Sequence, residues 1–382
     1  MNRRRLLAGL GAAAASPLLA QEDPYRDHSR VPGIDELSKT LDFEEVFHTK
    51  AGREVYNYTA YGSEGEFTLH RNRQSFGWVE LVPRGIADIS SIDTATEVLG
   101  TKMAFPIMLS PTSGHAALDP DGEIATHKGA TAAANTPYIV SGASSLPFAK
   151  IASAAEGPVW YQLYAVEALD DSRALVETAQ TAGCKAIVMT VDQQSSYYER
   201  PLHDRNLSPS PRGRGRPAAR PSNPYRISDR RLWYSWKFVE QIRPFIKVPF
   251  LAKGILTPED AKLATEHGFD GVYVSNHGGR SLDYAPSTLE VLPEIVDAVG
   301  GRAPVLIDSG FRTGSDILKA LALGAKAVCI GRAARWGLGS FGAPGVQRVL
   351  EILQNELVLA MAQTGRPSLK AIDRTLVKTH FR

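Results

Sequence analysis

Short apolar runs recur along this chain from Phe105 to Ile330, and the residues between them carry helix or loop signals. Eight can be marked off: Pro106 to Leu109, Tyr138 to Val140, Val159 to Leu163, Ala186 to Val191, Pro249 to Ala252, Gly271 to Val274, Pro304 to Ile307, and Ala327 to Ile330. Most are apolar at successive rather than alternate positions, as expected of parallel strands covered on both faces. Helix signals fill several gaps. Thr257-Pro258-Glu259-Asp260 supplies an N-cap, a first-turn proline and early acids, and Gly268 ends that helix before the next run. Strand then helix, eight times over, predicts an α/β protein built as a (β/α)8 TIM barrel.

Two stretches lie outside the repeat. Residues 23–100 form an N-terminal segment ahead of the barrel, residues 101–382, with helices expected around Phe43 to Tyr58 and Glu66 to Phe76 and extended pieces closing the barrel floor. Residues 193–235 are a long insertion after the fourth strand, rich in proline and arginine from Asn206 to Arg231. A connection of that length inside one domain is expected to be a lid, or else disordered, with its arginines solvated.

Composition changes this picture little. The 382 residues, 43% of them hydrophobic, can fill a full core, and a formal net charge of +2 marks no nucleic-acid surface. Two cysteines are no disulfide framework: Cys184 precedes one apolar run and Cys329 lies inside another, as small buried hydrophobes. Residues 1–22 stand apart. Arg3, Arg4 and Arg5 precede an uncharged stretch from Leu6 to Ala15, then Ser16 to Ala20, in the outline of a twin-arginine signal peptide too short to span a bilayer. Export to the periplasm after folding and cofactor loading is the corresponding expectation; the alternative is a basic, frayed terminus on a cytoplasmic protein.

Candidate chemistry lies where polar residues end the apolar runs. In such a barrel reactive groups gather at the C-terminal ends of the strands. Here the runs end in Pro111-Thr112-Ser113, Ser141, Gln162-Leu163-Tyr164, Thr190-Val191-Asp192, Lys253-Gly254, Ser275-Asn276-His277, Asp308-Ser309-Gly310 and Gly331-Arg332. The sixth opens the segment V-Y-V-S-N-H-G-G-R-S-L-D, Val272 to Asp283, whose glycines let His277, an acid/base, and Arg280, a fixed cation, face one cavity. The last two ends predict a phosphate site. Asp308-Ser309-Gly310-Phe311-Arg312 leads into a helix and Gly331-Arg332 follows the eighth strand, so backbone N–H groups and two guanidinium groups converge. A substrate phosphate and a cofactor phosphate would satisfy it equally. Lys253 would lie deeper, beside the ring system of such a cofactor, and favour an anionic reduced form.

Taken in order, the motifs P-T-S, Q-L-Y, T-V-D, A-K-G, S-N-H-G-G-R-S-L-D and D-S-G-F-R resemble the FMN-dependent 2-hydroxy acid oxidases and dehydrogenases, the family of glycolate oxidase, lactate oxidase and flavin lactate dehydrogenase. The resemblance implies FMN as prosthetic group and oxidation of a small L-2-hydroxy acid to the 2-oxo acid. It implies His277 as the base, Asp192 as the carboxylate that orients it, Arg280 and Tyr58 on the substrate carboxylate, Tyr164 near the hydroxyl, and Arg200 as a second arginine. Gln193-Gln194-Ser195-Ser196, between Asp192 and Arg200, departs from the family pattern. The implied FMN contacts are Pro111, Thr112 and Ser113 along a flavin edge, with Ser141, Gln162, Thr190, Lys253 and Ser275 around the ring and ribityl chain. Asp308, Ser309, Gly310, Phe311, Arg312, Gly331 and Arg332 would hold the phosphate.

Two departures bear on specificity. Ser113 stands where these oxidases commonly have alanine or glycine, and Gly142 and Ala143 where an aromatic is common. Reoxidation by oxygen or a respiratory electron carrier, and a homotetramer, complete the implied partners; no nucleic acid or metal is expected. Other readings of the same strand ends are a flavin-dependent barrel isomerase and a non-catalytic barrel that binds flavin or another phosphate ligand.

Overall fold

Eight parallel strands close on one another in chain order: β1 (Ile107–Leu109), β2 (Tyr138–Ser141), β3 (Val159–Leu163), β4 (Ile187–Thr190), β5 (Phe250–Ile255), β6 (Gly271–Val274), β7 (Val305–Ile307) and β8 (Ala327–Ile330), with β8 returning to β1. This is a computed structural model, in which residues 30–192 and 234–381 are described. Every residue of seven strands is buried, and β5 departs only at Gly254. Burial on both faces is why these strands read as continuous apolar runs.

Every strand contributes to a common interior layer: Met108, Ile139, Trp160, Val188, Leu251, Tyr273 and Leu306, with both Ala327 and Cys329 from β8. Neighbouring positions along the strands pack instead in the larger core beneath the helices, as a period of two requires. An antiparallel pair, Thr96–Val98 with Thr101–Met103, closes the floor. Val98, Leu99 and Met103 pack against the interior layer, and Trp160 Nε1 donates to Thr101 Oγ1 at 3.0 Å.

Ahead of the barrel stand α1 (Asp42–Lys50), α2 (Arg53–Ala60) and α3 (Phe67–Gln74). The strands are followed in turn by α4 (Glu123–Ala132), α5 (Phe148–Ala152), α6 (Leu169–Thr181), α7 (Trp236–Ile242), α8 (Pro258–Glu266), α9 (Thr288–Val299), α10 (Gly314–Ala322) and α11 (Arg332–Gln363). The predicted cap of α8 is present, with Thr257 accepting from the N–H of Asp260 at 3.1 Å. One expectation fails in detail. The helix anticipated over Phe43 to Tyr58 is two helices, because Ala51 and Gly52 are extended (ψ 140° and 151°) and turn the chain between α1 and α2.

Val79–Leu81 pairs antiparallel with Val377–Thr379, tying the segment ahead of the barrel to its C-terminal end. The insertion after the fourth strand falls between β4 and β5. The lid expected at 193–235 and the signal peptide expected at 1–22 lie outside the described residues, apart from Tyr234 and Ser235.

Candidate active site

A cavity of about 590 Å³ opens at the C-terminal ends of the strands. Its wall includes His277 and Arg280 from the β6 loop, Lys253 from β5, Tyr58 from α2, and Tyr164 just after β3. The two glycines of the β6 loop explain how His277 and Arg280 come together. Gly278 and Gly279 take left-handed φ values of 68° and 77°, and a Cβ on Gly279 would lie 2.6 Å from the backbone of Leu69 in α3. His277 is itself left-handed, at φ 59°, with its N–H on Ser275 Oγ at 3.1 Å.

His277 Nδ1 meets both carboxylate oxygens of Asp192, at 3.1 and 3.3 Å, and Asp192 lies just beyond the end of β4. Gly254 makes room for this carboxylate, since a Cβ there would come within 2.5 Å of the Asp192 Cβ. Burial alone would raise the Asp192 pKa. The charges of His277 and Lys253, with the His277 hydrogen bond, outweigh it and hold the carboxyl below its ordinary value. With Nδ1 directed at Asp192, Nε2 is the nitrogen left for chemistry; that tautomer follows from the hydrogen-bond pattern.

Arg280 Nη1 donates to the carbonyls of Tyr58 and Tyr61, and its guanidinium carbon lies 4.7 Å from the centroid of the Tyr58 ring. The Tyr58 hydroxyl pairs with Ser113 Oγ at 2.8 Å, so the two are in direct contact. Pro111, Thr112 and Ser113 follow β1 along one side of the cavity, and Ser141 is at the end of β2. Gln162, Thr190 and Ser275 stand buried at the ends of β3, β4 and β6. Arg200 lies outside the described residues.

The residues expected to hold a phosphate lie together in the cavity wall, with some of their N–H groups already bonded. Asp308, Ser309, Gly310, Phe311, Arg312, Gly331 and Arg332 all line the cavity. The N–H groups of Arg312, Thr313 and Gly314, where the loop enters α10, are already taken, however. Asp316 accepts from the N–H of Arg312 and Thr313 at 2.9 and 3.1 Å, and Glu356 accepts from the N–H of Gly314 at 2.8 Å. An anion cradle would therefore use the earlier part of that loop, Ser309 to Phe311, and the start of α11. Arg332 donates to the carbonyls of Thr59, Tyr61 and Gly278, so its charge is held in the wall by backbone contacts.

Sequence reasoning missed Arg335. It is buried one turn after Arg332, on the same face of α11, and donates to Thr59 Oγ1 at 3.1 Å and to the Ser113 carbonyl. The i, i+3 spacing was the available signal. Arg312, Arg332 and Arg335 have pKa values lowered to about 10, 9 and 10, chiefly by burial, with neighbouring guanidinium groups pushing the same way. So much positive charge in one wall calls for an anion.

Residues 48–379 match the FMN-dependent dehydrogenase family. The chain belongs to that family. It is 41% identical over 357 residues to a peroxisomal (S)-2-hydroxyacid oxidase of Arabidopsis thaliana, covering 91% of this chain and 98% of that one. It is 38% identical over 354 residues to the glycolate oxidase of Spinacia oleracea, covering 89% and 95%. A crystal structure of mandelate oxidase with 3,3-difluoro-2-hydroxy-3-phenylpropionic acid superposes with a TM-score of 0.80 at 34% identity, covering 90% of this chain and 99% of that one. FMN is accordingly the cofactor of this FMN-dependent dehydrogenase.

The cavity fits that group. Gln162 Nε2 and Thr190 Oγ1 are buried without a partner among the described residues, while Gln162 Oε1 accepts from Ser141 Oγ and the Gly142 N–H at 3.2 and 3.1 Å. Unmet buried polar atoms cost about 1–3 kcal/mol each. A ring edged with donors and acceptors would satisfy both, and its phosphate would meet the arginine wall.

Proposed function

We infer that this FMN-dependent dehydrogenase oxidises a small L-2-hydroxy acid to the 2-oxo acid. The observation that carries the reading is the Asp192–His277 pair set beside Arg280 and Tyr58 in one cavity. Removing two electrons from a 2-hydroxy acid also removes two protons, so the site needs a base and an anchor for the carboxylate. Arg280 offers a guanidinium fork suited to two carboxylate oxygens, and Tyr58 adds a hydroxyl. His277 takes a proton on Nε2, and Asp192 balances the charge that the imidazole acquires. The same pair serves whether that proton leaves C2 or the hydroxyl.

When bound, FMN supplies the two-electron acceptor. Pro111, Thr112, Ser113, Ser141, Gln162, Thr190, Lys253 and Ser275 would surround its ring and chain, and the loop at Asp308 to Arg312 with Gly331 and Arg332 its phosphate. Lys253, buried within β5, would place a positive charge near the ring. Tyr164 would contact the substrate hydroxyl. Arg200 would add a second cation from the insertion.

The finer assignments follow from the sequence pattern. The arginine run and short apolar stretch of residues 1–22 support a twin-arginine signal and export to the periplasm. Reoxidation then falls to oxygen or a respiratory carrier, and the family resemblance, not the sequence pattern, supports a homotetramer. Fractionation of cells, N-terminal sequencing of the mature chain, and light scattering test these points.

The direct test is anaerobic. Flavin-loaded protein mixed with glycolate, L-lactate or L-mandelate loses its visible flavin absorbance with at least one of them; prompt recovery in air marks oxygen as the acceptor, and no recovery marks a carrier. Flavin that none of the acids bleaches contradicts the reading and favours a non-catalytic flavin-binding barrel.

A further inference from the structure

Tyr273 belongs to the interior layer of the barrel and is fully buried, yet its hydroxyl has polar company. It donates to Asp308 Oδ2 at 2.9 Å. Ser110 Oγ lies 3.1 Å from the same hydroxyl and 3.3 Å from the same carboxylate oxygen, while Ser309 Oγ donates to Asp308 Oδ1 at 2.9 Å. Asp308 Oδ2 is in turn 3.8 Å from Lys253 Nζ. Lys253 donates to Ser275 Oγ at 2.9 Å and lies 5.3 Å from the centroid of the Tyr273 ring. Ser110, Lys253 and Asp308 all line the cavity.

We propose that Tyr273, assisted by Ser110, tunes the reduction potential of the bound flavin by dispersing the charge of Asp308, so that Lys253 keeps its positive field on the ring. This rests on the flavin reading given above. It makes Tyr273 a positioning residue, acting through Asp308 and Lys253 without touching substrate. An Asp308 carboxylate without O–H donors would cancel more of the lysine charge, and would draw Nζ away from Ser275. Hydrogen bonds to an ionised carboxylate are roughly twice as strong as neutral ones, and the low local dielectric magnifies the difference. Burial first, and Asp308 second, push the Tyr273 pKa well above its ordinary value. The phenol therefore stays protonated and acts on the carboxylate as a donor.

Tyr273→Phe removes the hydroxyl and keeps the ring. Two readouts follow the positive field at the flavin: the dissociation constant of sulfite for the oxidised flavin, and the two-electron midpoint potential. In Tyr273→Phe sulfite binds about tenfold more weakly, and the potential falls by the equivalent of a tenfold change, about 30 mV for a two-electron couple. Ser110→Ala moves both in the same direction by less, and decides the matter if Tyr273→Phe does not retain FMN. Unchanged or raised potentials in the flavin-loaded variants overturn the proposal alone. A wild-type chain that takes up no FMN overturns the flavin reading beneath it.

Discussion

His277 holds a backbone conformation that residues with a Cβ rarely adopt, and the reason is local. The left-handed turn keeps its N–H on Ser275 while Nδ1 meets Asp192. Ser309, at φ 84°, is a second such residue, and its Oγ accepts from the Gly278 N–H at 3.0 Å. Two strained positions, joined through the Gly278 hydrogen bond and both lining the cavity, are what a preorganised site requires. The sequence offers His277, Asp192 and Arg280 as candidates because each ends or follows an apolar run. It offers no sign of their φ values, which depend on contacts between β6 and β7.

Asp192 gives a prediction in pH. A carboxylate whose folded pKa is depressed stabilises the fold above its unfolded value, about 3.9, and loses that contribution as pH falls through the folded value. The Asp192 pKa is lowered, so this sign applies. Asp192→Asn is therefore expected to be less stable than wild type by a constant margin at neutral pH. The margin closes below about pH 4, as denaturant titrations at several pH values would show. A margin that widens in acid would contradict the assignment.

At the scale of elements, the site depends on α3 being pressed against the β6 loop. Arg71 of α3 makes a bidentate pair with Glu290 at 2.8 and 2.7 Å, and Glu290 also closes the capping box of α9 with Ser287. Asn72 and Asn276 exchange side-chain hydrogen bonds at 2.9 and 2.8 Å. Gly279→Ala would set a Cβ against the Leu69 backbone in a left-handed position, so both sterics and φ oppose it. A loss of about 1–3 kcal/mol is expected, with a lower melting temperature and a raised KM, because Arg280 follows directly. A melting temperature equal to wild type would contradict the close packing.

The helices show where reading a sequence stops. The α8 cap was legible because Thr257, Pro258 and Asp260 are adjacent. The saturation of the first α10 donors was not, because Glu356 reaches Gly314 from 42 residues away.

For the whole molecule, the barrel was readable because strands buried on both faces leave unbroken apolar runs. Tyr273 shows the limit of that reading: its ring fits the apolar pattern, and its hydroxyl is significant only once Asp308 is beside it. The floor formed by Thr96 to Met103 was legible as extended chain closing the barrel, though not as an antiparallel pair. The arginine wall predicts a holoprotein more stable than the apoprotein, since a bound phosphate would offset charge that burial and mutual repulsion disfavour. Adding FMN to apoprotein at about 100 times its Kd should stabilise the fold by roughly 2.7 kcal/mol, measured as a rise in melting temperature. Riboflavin, which lacks the phosphate, should give markedly less, and equal shifts from the two would argue against the phosphate site.

The central claim is that His277 is the base, and the anaerobic reduction of flavin in His277→Gln tests it most directly. Wild type and variant are loaded with FMN and mixed with whichever acid bleaches the wild type, and dithionite serves as a control that needs no base. The expected result is reduction by the acid slowed about 10²–10⁴-fold in the variant, with dithionite reducing both fully. Equal rates with the hydroxy acid would show that the proton leaves by another group.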